Sequence, residues 1–229
     1  MKIVAFSDIH GNQYAFQAFL NALKEMTYDA VFFCGDIHGY YYGQTAIVKA
    51  MKQMENLYAV KGNHDEFAIR VLEEIDRAEM YIPRYGNSYA MLEKENVDYV
   101  KALPDIIEGV WGGKRIAILH GCLDDVLEGR LYPQDELRET ELYQKYDYVF
   151  CGHTHFQMVR KAGKTTIINA GSLGQQRDGK GFCYVVADTE TGEIEYRTIK
   201  YDMTALEQEI RKHDPDNEKM IQILHRGER

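Results

Sequence analysis

Two spacings of apolar residues alternate along the first sixty positions of this chain. The runs 2–6, 30–34 and 57–60 are apolar throughout, as strands buried on both faces require. Between them the apolar positions recur every three or four residues. Phe16, Phe19, Leu20 and Leu23 share one face over 12–25, and Ile47, Val48, Met51 and Met54 share one over 44–54. Strand, helix, strand, helix, strand predicts parallel pairing through right-handed crossovers. Further strands are predicted at 115–119, 147–151, 165–169, 181–187 and 193–199. The last three follow closely, and Asp188-Thr189-Glu190-Thr191-Gly192-Glu193 reads as a hairpin loop, so antiparallel pairing is expected there. Residues 66–104 carry helical patterns rich in Tyr, Glu and Arg, and the stretch from Met203 is helical with a break at Asp214-Pro215. No repeat or linker divides the chain. A single domain, 1–229, is expected, with 66–104 as a helical cap insertion.

The polar residues that matter stand where these strands end. Asp8-Ile9-His10-Gly11 follows the first strand and Asp36-Ile37-His38-Gly39 the second. Gly62-Asn63-His64-Asp65 follows the third, His120-Gly121 the strand 115–119, and Gly152-His153-Thr154-His155 the strand 147–151. One such motif alone is ordinary turn chemistry. Six of the eight histidines fall at strand ends, however, and the carboxyl ends of parallel strands line the usual ligand crevice. Imidazoles, carboxylates and one amide, with no thiolate among them, suit Mn, Fe, Zn, Ni or Co better than an all-oxygen Ca or Mg site. The set is too large for one tetrahedral ion. It is natural for two ions ~3.5–4 Å apart, which share a bridging carboxylate and clamp both oxygens of a phosphoryl transfer.

Composition narrows the partners. Apolar residues at 45% and charged residues at 28% describe an ordinary globular chain. A formal charge of −9 argues against wrapping long nucleic acid but permits a small phosphorylated substrate in a locally positive pocket. The acidic Asp8 comes too early for a secretory leader, and no apolar run approaches the ~20 residues that span a bilayer. Cys34, Cys122, Cys151 and Cys183 are dispersed without a CxxC pair, which fits reduced thiols. A cytoplasmic protein without membrane association is expected, and self-association stays open.

The ordered set Asp8-x-His10, Gly35-Asp36, Gly62-Asn63-His64-Asp65, His120-Gly121 and Gly152-His153-Thr154-His155 resembles the calcineurin-like metallophosphoesterases. The segment Asn169-Ala170-Gly171-Ser172-Leu173-Gly174-Gln175-Gln176-Arg177, followed by a hairpin, is similar to the small bacterial and archaeal phosphodiesterase branch. The resemblance implies an α/β (α+β by some schemes) fold, a four-layer αββα sandwich of two mixed sheets flanked by helices. It implies hydrolysis of a phosphoester by a hydroxide held between two metal ions, Mn²⁺ foremost, with Fe, Zn, Ni or Co as alternatives. Asp8, His10, Asp36 and His155 would hold the first ion. Asp36, Asn63, His120 and His153 would hold the second, with Asp36 bridging. Asn63 can ligate only through its carbonyl oxygen. His64 would protonate or stabilise the leaving group, with Asp65 orienting it or serving as a helix N-terminal acid.

Both ligand sets close without His38, which is expected to line the cleft or bond a ligand from behind. The two Asp-x-His-Gly copies therefore do different work. Arg177 could meet a substrate phosphate, Tyr40 and its neighbours Tyr41 and Tyr42 could stack on a base, and Arg70, Arg77 and Arg84 could meet an anion from the 66–104 segment. The leading substrate is a phosphodiester or pyrophosphate bond in a small nucleotide-like molecule. The alternatives are a dinucleoside polyphosphate such as diadenosine tetraphosphate, a phosphomonoester or phosphoprotein, and, in another class, a non-catalytic metal-binding scaffold like a retromer subunit of similar fold.

Overall fold

A computed structural model describes residues 1–137 and 140–226. In chain order the elements are β1 (Lys2–Phe6), α1 (Gln13–Lys24), β2 (Ala30–Phe33), α2 (Gln44–Met51), β3 (Leu57–Ala59) and α3 (Asn63–Leu72). Short 3₁₀ turns then flank α4 (Ile82–Tyr85), followed by α5 (Lys94–Lys101), β4 (Ile106–Trp111), β5 (Lys114–Leu119) and α6 (Thr140–Tyr143). The chain continues as β6 (Tyr148–Cys151), β7 (Gln157–Ala162), β8 (Thr165–Ala170), β9 (Cys183–Asp188), β10 (Ile194–Thr198), α7 (Thr204–His213) and α8 (Glu218–Leu224). The helix break at Asp214-Pro215 lies where the sequence puts it.

Two five-stranded mixed sheets form, ordered β10-β9-β1-β2-β3 and β4-β5-β6-β8-β7. The run β1-β2-β3 is parallel, as is β5-β6-β8, while β9, β10, β4 and β7 pair antiparallel. Alternation along each strand divides the core. Ile3, Ala5 and Phe32 face Ile118, Phe150 and Ile168 across the space between the sheets. Val4, Phe6, Val31 and Phe33 face outward onto α1, α2 and the C-terminal helices. Val149, Cys151 and Ile167 face the other way, onto Leu131, Tyr143 and Tyr146. The helical layer on that side is thin: a single turn, α6, and a long loop cover the second sheet. Residues 66–104 pack Tyr89, Val97 and Val100 into the same core as α1 and α2.

Two expectations need correction, and two strands, β4 and β7, have no counterpart among the predicted elements. The third strand is an edge strand rather than one buried on both faces, with Leu57 half-buried and Tyr58 exposed. Strands β4 and β7 carry no continuous apolar run, because edge strands meet water and accept residues such as Glu108, Arg160 and Lys161. The strands 165–170 and 183–188, close in sequence, lie in different sheets, so only β9-β10 forms the expected hairpin.

The rings of Phe32 and Phe150 meet edge-on between the sheets at 5.2 Å, both fully buried. Phe150→Ala should cost about 3–5 kcal/mol, because neither rigid sheet can collapse into the vacated space. Urea unfolding measures this, with Val110→Ala on the exposed face of β4 as a control expected near zero.

Candidate metal centre

Backbone hydrogen bonds lace the first and second motif loops together. Asp8 N donates to Gly35 O (2.9 Å), Ile9 N and His10 N donate to Asp36 O (2.9 and 3.1 Å), and Gly11 N donates to Ile37 O (2.8 Å). This ladder forces unusual backbone. Among the described residues eight non-glycine residues have positive φ, and five of them are candidate ligands: Asp8, His10, Asp36, His153 and His155. Left-handed backbone is sparsely populated by such residues and concentrates at functional sites.

Hydrogen bonding decides which atom each ligand offers. His10 Nδ1 donates to His38 O (2.8 Å), His120 Nδ1 to Cys34 O (2.7 Å) and His155 Nδ1 to Gln175 O (2.5 Å). A carbonyl only accepts, so in each neutral ring the lone pair sits on Nε2. Those lone pairs converge: His10 Nε2 and His155 Nε2 lie 3.1 Å apart. Each carboxylate is divided in the same way. Asp8 Oδ2 accepts from His153 N (3.1 Å), while the buried Asp8 Oδ1 has no hydrogen bond and lies 3.1 Å from His155 Nε2. Asp36 Oδ1 accepts from His64 N (2.9 Å), while Oδ2 lies 3.6 Å from His10 Nε2 and 3.3 Å from His120 Nε2. His120 Nε2 is also 3.1 Å from both Asn63 Oδ1 and His153 Nδ1. Asp8, His10 and His155 thus form one candidate ligand group, and Asp36, His120 and His153 another. Asp36 Oδ2 stands between them.

The electrostatics fit a cation. Facing lone pairs and an unpartnered buried carboxylate oxygen repel one another unless positive charge lies between them. Burial depresses His10, His155 and His153, the last to about 3, so these rings are neutral. Burial raises Asp36 to about 6. Burial also disfavours the His120 imidazolium, but Asp36 and Asp8 outweigh it and lift His120 to about 9.

Asp65 does not orient His64. Its carboxylate accepts from the N–H groups of Asp36, Ile37, His38 and Gly62, each at 3.0 Å, and from His38 Nδ1 at 2.8 Å. Burial raises this carboxyl, but the His38 ring and these N–H groups outweigh it and hold it below the usual range. His38 is therefore the partner of Asp65 and belongs to none of the ligand groups among the described residues. The partner of His64 is Tyr89, whose hydroxyl meets Nδ1 at 2.7 Å. The sequence carries no sign of it beyond the tyrosine-rich character of 66–104. His64 shares a third group with His10 and Asp36, and burial holds its pKa well below the ordinary value.

Around this centre the tyrosines pack rather than stand free. Tyr40 is 7% exposed, meets His10 at a T-shaped angle at 4.8 Å, and packs on Tyr85, so little of its ring is open to a base. Its hydroxyl accepts from Arg177 Nη2 (3.1 Å), which also donates to Gln175 Oε1 (2.8 Å). Tyr41 is fully buried, and the Tyr42 hydroxyl donates to Asp214. Arg70 is bound by Asp76 at 2.6 Å and Arg77 points to Glu79, while Arg84 lies over the Tyr85 ring. All four cysteines are buried free thiols. Arg130, which no motif marks, donates from Nε to His153 Nε2 at 3.1 Å.

The family model of the calcineurin-like phosphoesterase superfamily domain matches residues 1–192. An uncharacterized protein from Methanocaldococcus jannaschii, MJ0912, is 28% identical over 234 residues, covering 92% of each chain. The crystal structure of the hypothetical protein PH1004 from Pyrococcus horikoshii superposes with a TM-score of 0.83 at 18% identity, covering 99% of this chain and 98% of that one. A metallophosphoesterase from Sphaerobacter thermophilus gives 0.77 at 21% identity, covering 99% and 100%. At these identities the two structures speak for the fold.

Two substitutions separate ligation from scaffolding. A Cβ at Gly62 would lie 2.1 Å from Asp36 Oδ1, so Gly62→Ala should displace that carboxylate and lower metal content. His38→Ala should keep wild-type metal content while losing about 1–3 kcal/mol of stability, because Asp65 loses one buried hydrogen bond. Metal analysis by mass spectrometry alongside thermal unfolding reads both.

Proposed function

Because this chain belongs to the calcineurin-like phosphoesterase superfamily, we propose that it is a dinuclear-metal-dependent hydrolase of a phosphodiester or pyrophosphate bond in a small nucleotide-like substrate. The observation that carries this reading is the convergence of imidazole lone pairs and carboxylate oxygens into two ligand groups joined at Asp36. Asp8, His10, Asp36 and His155 would hold one ion, and Asp36, Asn63, His120 and His153 the other. Bound there, the two cations supply Lewis-acid charge and lower the pKa of a coordinated water. The donor set suits Mn²⁺ and similar transition ions.

The chain's own residues supply the rest. Two divalent ions outweigh the charge of Asp8 and Asp36, so an anion is attracted to this point of an otherwise acidic protein. Arg177, half-buried with its Nε and Nη1 unpartnered among the described residues, would take a substrate oxygen. His64 Nδ1 donating to Tyr89 leaves Nε2 as the working nitrogen, and Tyr85 and Phe67 fix the ring plane. A substrate anion beside that ring favours its protonated form, from which Nε2 gives its proton to the leaving oxygen. No helix among the described residues is long and apolar enough to cross a membrane.

Chelator-treated protein should lose hydrolysis of bis(p-nitrophenyl) phosphate and regain it with Mn²⁺. A parallel panel of monoesters, diesters and dinucleoside tetraphosphates ranks the substrate classes. Full activity in verified metal-free protein overturns the proposal, and metal-loaded protein that hydrolyses nothing in the panel favours the scaffold reading.

His64→Ala should keep its metal and fold, yet lower kcat by roughly 10²–10⁴-fold on esters with poor leaving groups. Tyr89→Phe should follow the same pattern with a smaller loss. Both losses should shrink with nitrophenolate as leaving group, where little protonation is needed. A loss that ignores the leaving group would assign these residues to charge stabilisation instead.

A further inference from the structure

Arg130 ends the loop that leaves the centre at His120, and that loop is braced in place. Gly121 N donates to Val126 O (2.8 Å), Cys122 N and Asp125 N exchange bonds with each other's carbonyls (3.0 Å each), and Gly129 N donates to Asp125 O (3.1 Å). The Asp125 side chain accepts from Glu128 N at 3.0 Å. A Cβ at Gly129 would lie 2.2 Å from Cys122 Sγ, so the turn closes only around glycine. The following guanidinium is thereby delivered to His153. Among the described residues it has that one hydrogen bond and no ion pair.

The contact has a consequence for metal binding. An arginine Nε–H can only donate, so His153 Nε2 must be the acceptor and the proton of the neutral ring must be on Nδ1. Nδ1, however, is the atom that faces His120 Nε2 at 3.1 Å and points into the second ligand group. A neutral imidazole has one lone pair. His153 can therefore accept from Arg130 or offer Nδ1 to a cation, but not both. A cation held at Nδ1 would leave the ring proton on Nε2, facing the arginine N–H, so His153 could no longer accept from the guanidinium.

Resting on the phosphoesterase reading above, we propose that Arg130 is a substrate-binding residue, parked on His153 until the second cation binds and then released to engage a phosphoryl oxygen. It would serve the His153 end of the centre as Arg177 serves the His155 end. The two guanidiniums suit a substrate whose anionic oxygens extend beyond the phosphorus under attack, as in a phosphoanhydride. A planar fork with five donors matches that chemistry.

Arg130→Met, which keeps the stem and removes every donor, tests both halves. Competition with a chromophoric chelator should find the second cation bound several-fold more tightly than in wild type, because its competitor for His153 is gone. The first cation should be unchanged. General relief of charge repulsion would instead strengthen both sites and fade with salt. Calorimetry on the two-metal protein should show pyrophosphate bound roughly tenfold more weakly by the variant, with a smaller loss for inorganic phosphate. Nitrogen-15 shifts of His153 should place its proton on Nδ1 in metal-free protein and on Nε2 after loading. Two cations bound with no change in either affinity in the variant overturn the role of Arg130. A protein that binds no cation overturns the reading of the centre itself.

Discussion

The buried carboxylate of Asp65 holds the centre together from behind. One side chain gathers the backbone N–H groups of Asp36, Ile37, His38 and Gly62 and the ring of His38. Those groups belong to the turns after β2 and β3, so the carboxylate ties two strand ends to the first turn of α3. Asp36 is held with φ of 70°, a conformation its own preferences oppose, and only then does its Oδ2 stand between His10 and His120. The chain continues the same way toward β1, where Asp8, Ile9, His10 and Gly11 donate to the loop that Asp65 fixes. The order of dependence runs from a helix N-terminal acid to a strained turn, to a neighbouring strained turn, to a set of aimed lone pairs.

That order explains which parts of the site are legible in sequence. Donor atoms must be particular residue types, so Asp8, His10, Asp36, Asn63, His120, His153 and His155 announce themselves by identity and by position at strand ends. Their alignment depends mostly on backbone: the carbonyls of His38, Cys34 and Gln175 set the three tautomers, and any residue supplies a carbonyl. Partnership is equally hidden. Asp65 is next to His64 in sequence but bonds His38, because consecutive residues at a helix start project in different directions. Tyr89 reaches His64 from 25 positions away. The central strands read clearly because both their faces are apolar, and β4 and β7 do not because an edge strand shares a face and a flank with water.

The second copy of Asp-Ile-His-Gly follows the same logic. In the first copy both polar residues turn inward to the cation position. In the second, Asp36 turns inward while His38 turns back to Asp65 and lends its carbonyl to His10. Identical strings thus become candidate ligand and brace, because what a turn presents is decided by the loops packed against it.

Preorganisation here has an electrostatic cost that the fold does not relieve by itself. The second polar atom of Asp8, His10, Asp36, His120 and His155 is committed to backbone, so His10, His155 and Asp8 cannot rotate apart when no cation separates them. Bulk solvent does not screen them either, since Asp8, His10 and His120 are 0% exposed. The centre therefore carries repulsion that a bound cation would convert into attraction, a gain realised on binding rather than on folding. The arginine parked on His153 is one way this chain would ease the conflict before metal arrives. It is a positive group lent to a lone pair, and a bound cation would take its place.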